Sequence, residues 1–193
     1  MTTFPYVKSS VKKYNVARNA FLPRFVTVPM EQEHGVLCKR VVEIGNIVNE
    51  GQVIAVPSGS DECKIHSPVP GKVIDIFTDV SSNGRPCLMV KIGLEGSFNY
   101  TGKKPCEVDW KNISPEEITD KMSENGVINT FDSSFSVSLC KEIKALKKAG
   151  EDYSHSLIVR LFDEDPVRLT DTFIFGKYFS EIRKASKITA KAE

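Results

Sequence analysis

Long apolar runs are missing from these 193 residues. No stretch approaches the ~20 apolar residues that a membrane-spanning helix needs, and the basic N-terminus lacks the apolar segment of a secretion signal. A chain that neither crosses a bilayer nor is exported is the expectation, and hence a cytoplasmic one. Cysteine is sparse as well. Cys38, Cys63, Cys87, Cys106 and Cys140 are odd in number and no two lie close in the chain, which suits neither a disulfide framework nor the paired ligands of zinc or iron–sulfur clusters. They read as buried or idle thiols. His34, His66 and His155 are equally scattered, so no metal site is expected. A surplus of one charge is also absent: 26 Lys and Arg stand against 25 Asp and Glu. That balance argues against a nucleic-acid binder or a membrane-coating protein. The ends differ from the whole, because Lys8, Lys12, Lys13, Arg18 and Arg24 have no acidic residue among them, and Lys177, Arg183, Lys184, Lys187 and Lys191 face only Glu181 and Glu193. Such ends could meet anionic lipid or an acidic partner, but solvated, partly disordered termini are the simpler expectation.

What is present is enough for a core, with 40% hydrophobic and 26% charged residues, in one domain or two small ones. A basic N-terminal arm occupies 1–24. From Phe25 to about Leu94 the chain is a series of short β-branched runs broken by turn residues, the pattern of a small all-β module. Val41–Ile44 leads into Gly45-Asn46, Ile47-Val48 into Asn49-Glu50-Gly51, and Val53–Val56 into Pro57-Ser58-Gly59-Ser60. Each break puts Gly or Asn where a tight turn wants positive φ. Ile65-His66 is followed by Pro68 and Pro70, which cannot donate to a ladder, and then by an alternating strand over Lys72–Phe77. Asn83-Gly84 is the strongest hairpin signal in the chain, closing onto Cys87–Ile92.

The stretches Gly45–Val56 and Ile65–Phe77 have similar lengths and each feeds a Gly-centred turn into a Val/Ile strand, which suggests an internally repeated β hammerhead. The phrase Val41-Val42-Glu43-Ile44-Gly45-Asn46-Ile47-Val48-Asn49-Glu50-Gly51-Gln52-Val53-Ile54, followed by His66-Ser67-Pro68-Val69-Pro70-Gly71-Lys72-Val73, resembles the barrel-sandwich hybrid fold of lipoyl and biotinyl domains. In those carriers, the resemblance implies, a modified lysine sits at the exposed hairpin tip between the halves. Here that tip is Gly59-Ser60-Asp61, and Lys64 comes too late, in the returning strand. A packing module rather than a swinging arm is expected.

After a polar connector, 96–111, the periodicity moves from two toward 3.6. Ser114 is placed as an N-cap, Pro115 at the first helical position and Glu117 as the closing member of a capping box. That helix shows Ile118 and Met122 on one face and stops at Asn125-Gly126. A second helix is expected over Val137–Lys148 with Leu139, Ile143 and Leu146 inward, a buried strand over Ser156–Phe162, and a helix, or a short strand turning into one near Gly176, over Thr172–Ala185.

Read after the β module, this half is similar to the flavin-binding part of the C subunit of Rnf-type electron transport complexes, a relative of the flavin subunit of respiratory complex I. Asp109-Trp110-Lys111-Asn112-Ile113-Ser114-Pro115-Glu116-Glu117-Ile118 and Glu124-Asn125-Gly126-Val127-Ile128 resemble the helix leading into that family's glycine-rich loop, G-I-V-G-L-G-G-A-G-F-P-T. Aligned without gaps, Gly126 and Phe135 agree, but the later glycines are Asn129, Phe131, Asp132 and Ser134, and the proline is Ser136. Glycine in such a loop lets backbone N–H groups approach a phosphate closely. Phe131 would fill that space, and Asp132 would set a carboxylate beside an anion; at ~4 Å and an effective dielectric near 20 that costs roughly 4 kcal/mol, nearly three decades of affinity.

The family's acidic segment N-G-x-E-x-E-P-Y-L-T-x-D is similar to Arg160–Asp171, where Asp163, Asp165, Pro166, Thr170 and Asp171 persist and Asn and Gly are replaced. The acidic trio could meet a ribose or a cation, but a solvated loop with Asp171 capping the next helix is the simpler reading. The resemblance implies an α+β chain: an all-β barrel-sandwich hybrid over 25–95, then a shortened α/β remnant of the flavin domain over 112–193, ending before the family's cluster-binding cysteines. It implies a non-catalytic accessory or scaffold protein with a protein partner, a membrane redox complex, on the cytoplasmic face of the inner membrane. No cofactor is expected; the alternative is FMN held by a divergent loop in an electron-transfer subunit.

Overall fold

The computed structural model describes residues 22–33, 35–81, 84–95, 108–129, 136–148, 158–159 and 170–192. In chain order these form β1 (Phe25–Pro29), β2 (Lys39–Arg40), β3 (Ile47–Val48), β4 (Val53–Val56), β5 (Ile65–His66), β6 (Gly71–Val80), β7 (Pro86–Leu94), α1 (Pro115–Glu124), β8 (Ile128–Asn129), β9 (Val137–Ser138), α2 (Leu139–Lys148) and α3 (Thr170–Ala192). The architecture is α+β. The chain divides into two compact units, one holding all the described strands with α1 and α2, the other holding α3 as far as residue 190.

Within the first unit, the strands make a four-stranded sheet in the order β1-β7-β6-β3 and a three-stranded sheet in the order β2-β4-β5. Every pairing is antiparallel, and the two similar stretches of sequence explain how the sheets interlock. β3 pairs with β6, Val48 opposite Gly71, while β4 pairs with β5, Ala55 opposite Ile65. Each half thus gives one strand to each sheet, as an internal repeat predicts. Their turns are bonded to one another: Gly51 N donates to the Ser67 carbonyl and Ser67 N to the Gln52 carbonyl, both at 2.8 Å, while Val73 N donates to the Asn46 carbonyl at 2.9 Å. Val28, Met30, Val48, Ile54, Ile65, Val73, Val90 and Ile92 from both sheets meet in one buried cluster. Full burial of a Val or Ile stabilises by about 1.5–3 kcal/mol, so this interior holds the two sheets together.

Gly71, the glycine of the P-x-x-G-x-V phrase, has a steric reason to be bare. A Cβ there would lie 2.1 Å from the Gly93 carbonyl oxygen, where β6 and β7 run closest. The expected β6–β7 hairpin is present and longer than its apolar alternation suggested, paired from Gly71↔Leu94 to Val80↔Pro86 with an irregularity between Val73 and Asp75; of its turn signal Gly84 is described and Asn83 lies outside the described residues.

Val41–Ile44 is not a strand. The ladder to β4 is made by Lys39 and Arg40 instead, and Val41 adds one further bond, from its N–H to the Ile54 carbonyl at 2.8 Å. The chain then leaves the sheet because a local network turns it: Glu43 N donates to Asn46 Oδ1 at 2.9 Å, and Arg40 pairs with the Glu43 carboxylate at 2.5 Å. Val42 alone of this run is buried, 3% exposed against 53% for Val41 and 60% for Ile44.

α1 begins and ends where its signals lie. Ser114 Oγ accepts from Glu117 N at 3.1 Å, Pro115 opens the helix, and Ile118 and Met122 are buried. Glu117 does not close a capping box; its carboxylate reaches Lys121 at 3.5 Å, one turn on. At the other end Val127 N donates to the Met122 carbonyl and Gly126 N to the Ser123 carbonyl, the paired bonds of a Schellman motif, with Gly126 at φ +71°.

The second helix starts two residues later than expected, because Val137 and Ser138 are taken into β9 opposite Asn129 and Ile128. Cys140 and Ile143 are its buried residues, whereas Leu146 is 39% exposed. Of the strand expected over Ser156–Phe162 only Ile158 and Val159 are described, and both are exposed and outside any strand. The C-terminal basic segment is helical: α3 runs through Gly176, with a kink at Tyr178 (φ −121°, ψ 31°).

Candidate functional site

α1, the β8–β9 hairpin and α2 pack against the chain between β4 and β5, where a carrier domain would present its lysine: Cys63 is buried, Asp61, Glu62 and Lys64 are half-buried, and Gly59 and Ser60 stay exposed. Ser123 Oγ on α1 donates to the Glu62 carbonyl at 2.6 Å and lies 3.3 Å from the Ser60 carbonyl, and the Ser123 carbonyl accepts from Lys64 N at 3.3 Å. Ser138 Oγ donates to the Asp61 carbonyl at 2.7 Å and also accepts from Lys141 N at 3.3 Å, capping α2. Cys63 Sγ contacts the Val127 carbonyl at 3.4 Å.

Two charged groups tie this junction together. Lys144 Nζ lies 2.7 Å from Asp61 Oδ1 and 3.3 Å from Asp120 Oδ1. The hydrogen bond from Lys144 holds the Asp61 carboxyl below its usual range, and Asp61 in turn raises Lys144. Glu33, 4% exposed, reaches in from the β module: one carboxylate oxygen accepts from Cys63 N, and the other accepts from Ser138 N at 3.1 Å. Ser136 Oγ donates to the neighbouring Gln32 carbonyl at 2.6 Å. The Asp61–Lys64 side of the tip is therefore a docking point for α1 and α2.

The positions aligned with the glycine-rich flavin loop lie along β8, β9 and the chain between them. Gly126 is sealed into the junction, since a Cβ there would stand 3.0 Å from the Lys64 carbonyl and 3.4 Å from His66 Nδ1. Asn129 is in β8 opposite Val137, with its side-chain amide donating to Glu142 Oε2 at 2.9 Å. A Cβ on Gly126 would thus meet protein, and the Asn129 side chain is bonded to Glu142 on α2. Phe131, Asp132, Ser134 and Phe135 lie outside the described residues, as do Asp163 and Asp165. Asp171 lies in the first turn of α3 rather than ahead of it.

Cys38, Cys63, Cys87 and Cys140 are buried free thiols; Cys106 lies outside the described residues. Burial, helped by the nearby Glu33 carboxylate, pushes Cys38 up to about 11; Cys63 is also raised to about 11, chiefly by burial. Burial raises Cys140 as well. Among the described residues no three His, Cys, Asp or Glu gather as a metal would require, and no helix is long and apolar enough to cross a membrane. Glu33, Ser123, Ser138 and Lys144 were not singled out by sequence reasoning, and Ser60, Asp61 and Lys64 were read only as a carrier tip that lacks its lysine. Their partners are so far away in the chain that no local pattern marks them.

Two interlocked sheets built from a repeated hammerhead define a barrel-sandwich hybrid. Residues 3–96 match the family model described as the RnfC Barrel sandwich hybrid domain, so the chain carries that domain and is RnfC-like. It is 24% identical over 173 residues to the C subunit of the ion-translocating oxidoreductase complex of Rhodobacter capsulatus, covering 89% of this chain and 32% of the relative. To the protein of the same name from Pseudomonas aeruginosa it is 29% identical over 102 residues, 52% of this chain and 13% of the relative. To the C subunit of the proton-translocating ferredoxin:NAD(+) oxidoreductase complex of Clostridium ljungdahlii it is 27% identical over 129 residues, 65% and 28% of the two chains. The chain spans about a third or less of the length of these relatives.

Proposed function

We propose that this chain is a non-catalytic RnfC-like accessory or scaffold protein that docks on a membrane electron transport complex and holds neither flavin nor iron–sulfur cluster. The observation that carries the reading is the use made of the glycine-loop positions. Gly126 terminates α1 against the Lys64 carbonyl, and Asn129 is bonded across to Glu142, so the peptide there is committed to holding α1 and α2 on the β module. A cradle for an anionic cofactor needs the opposite, bare N–H groups free to face a phosphate. Phe131 and Asp132 in the same segment add bulk and like charge. The names of the relatives, each a subunit of an ion-translocating oxidoreductase or ferredoxin oxidoreductase complex, support a partner of that kind. Such a partner would place the chain peripherally, on the cytoplasmic face of the inner membrane.

Purification of the full chain from its native cell under mild detergent tests both halves. The expected preparation is colourless and contains other subunits of an ion-translocating oxidoreductase complex in stoichiometric amount. Stoichiometric flavin absorbance would overturn the non-catalytic assignment and favour an electron-transfer subunit. Recovery of the chain without any such subunit would overturn the docking partner.

A further inference from the structure

We infer that α3 is a surface-binding helix whose partner is an anionic lipid bilayer. At 3.6 residues per turn, Ile174, Phe175, Tyr178, Phe179 and Ile182 fall on one side of the helix and Arg183, Lys184 and Lys187 on the other, with Phe173 beside the cations and Lys177 at the boundary, its Nζ 5.1 Å from the centre of the Tyr178 ring. The kink at Tyr178 does not break the apolar side. Phe175 and Phe179 stack edge to face across it with ring centroids 5.0 Å apart, so the segments before and after it present one continuous surface. Most of that surface is open to solvent: Ile174 is 47% exposed, Tyr178 43% and Phe179 53%, while Phe175 and Ile182 are half-buried.

Arg183 and Lys187 are exposed as well, and the acidic side chain near them, Glu181, accepts a 2.6 Å hydrogen bond from Ser180 Oγ. Aromatic and aliphatic side chains on one face with lysine and arginine on the other is the make-up of helices that lie in the plane of a membrane interface. There the rings enter the headgroup boundary and the cations meet lipid phosphates. Single-stranded nucleic acid would instead call for rings and cations in one groove, with bases stacked on the rings along a cationic track. α3 instead sets Arg183 and Lys187 opposite Phe175, Tyr178 and Phe179, with Phe173 and Lys177 as the exceptions. The inference does not depend on the flavin argument and would hold for a catalytic chain too.

Co-sedimentation of the full chain with vesicles decides it. Phosphatidylglycerol–phosphatidylcholine vesicles at low salt should carry the protein down, and phosphatidylcholine alone should leave it in the supernatant. With about one fivefold step per surface cation, Arg183→Gln combined with Lys187→Gln should weaken the partitioning roughly 30-fold. Both side chains are exposed, so the variant keeps its fold, which circular dichroism checks. Phe179→Ser should weaken partitioning at every salt concentration, whereas the cation pair should matter less as salt rises. Protein that stays in solution with both vesicle types, as it would with an acidic protein partner, overturns the inference, and so does partitioning that neither variant changes.

Discussion

Glu33 is an unusual residue to find 4% exposed, and its two hydrogen bonds explain why it is tolerated. Its carboxylate receives the backbone N–H groups of Cys63 and Ser138, which would otherwise be buried donors without acceptors. Glu33→Ala leaves both unsatisfied and should cost about 2–4 kcal/mol, read as a lower urea midpoint with an unchanged slope; Glu33→Gln, which keeps one acceptor oxygen, should cost about half as much. A change below ~0.5 kcal/mol for the alanine variant would mean that the carboxylate does not hold the junction. The buried thiols make a second prediction at this scale. Cys38 and Cys63 are raised to about 11 from 9.0, so below pH 9 both folded and unfolded thiols keep their protons and stability is unaffected. Between about 9 and 11 the unfolded thiols ionise while the folded ones do not, and stability must fall as pH rises. At neutral pH these thiols should resist Ellman's reagent in the native protein and react on denaturation; rapid native reaction of either one would contradict their burial.

At the scale of elements, Gly126 joins the end of α1 to the start of the docked hairpin. Gly126→Ala would force a Cβ into a φ of +71° and within 3.0 Å of the Lys64 carbonyl. The expected cost is about 1–3 kcal/mol, measurable as a drop in Tm. A neutral outcome would mean that this turn relaxes freely. Much of this level was readable in advance. The N-cap Ser114, the stop at Asn125-Gly126 and the Gly84 hairpin are written in neighbouring residues, because caps and turns are closed by bonds spanning a few positions. The boundary of α2 was not readable. Val137 and Ser138 have an acceptable place in a helical pattern, but their partners, Asn129 and Ile128, lie across a hairpin, and pairing with them won. Val41–Ile44 shows the same limit in reverse: a run of β-branched residues is bent out of its ladder by Asn46 and Arg40.

On the scale of the whole molecule, the barrel-sandwich hybrid could be read from its repeated phrases, while the closure of α1 and α2 onto it could not. The bonds that make this junction join residues as far apart as Glu33 and Ser138, 105 positions, and no periodicity reports such a distance. The candidate flavin segment was legible only as a set of lost glycines; that Gly126 and Asn129 serve the junction instead emerged with the fold. This closure predicts cooperative behaviour. Lys144→Met removes the ion pairs to Asp61 and Asp120, both partly exposed, and should cost only ~1 kcal/mol globally. It should nevertheless speed hydrogen exchange at Lys64 N–H, which is bonded to α1, more than at Val73 N–H inside the β module. Equal effects at the two sites would contradict a separable docking contact.

The central proposal is that this chain does not seat an anionic cofactor at the positions aligned with the flavin loop. Equilibrium dialysis of the purified 193-residue chain against riboflavin 5′-phosphate tests it most directly. No saturable binding is predicted up to roughly millimolar ligand, the consequence of nearly three decades of lost affinity. Saturation at one flavin per chain with micromolar affinity, abolished by Asn129→Trp, would contradict it.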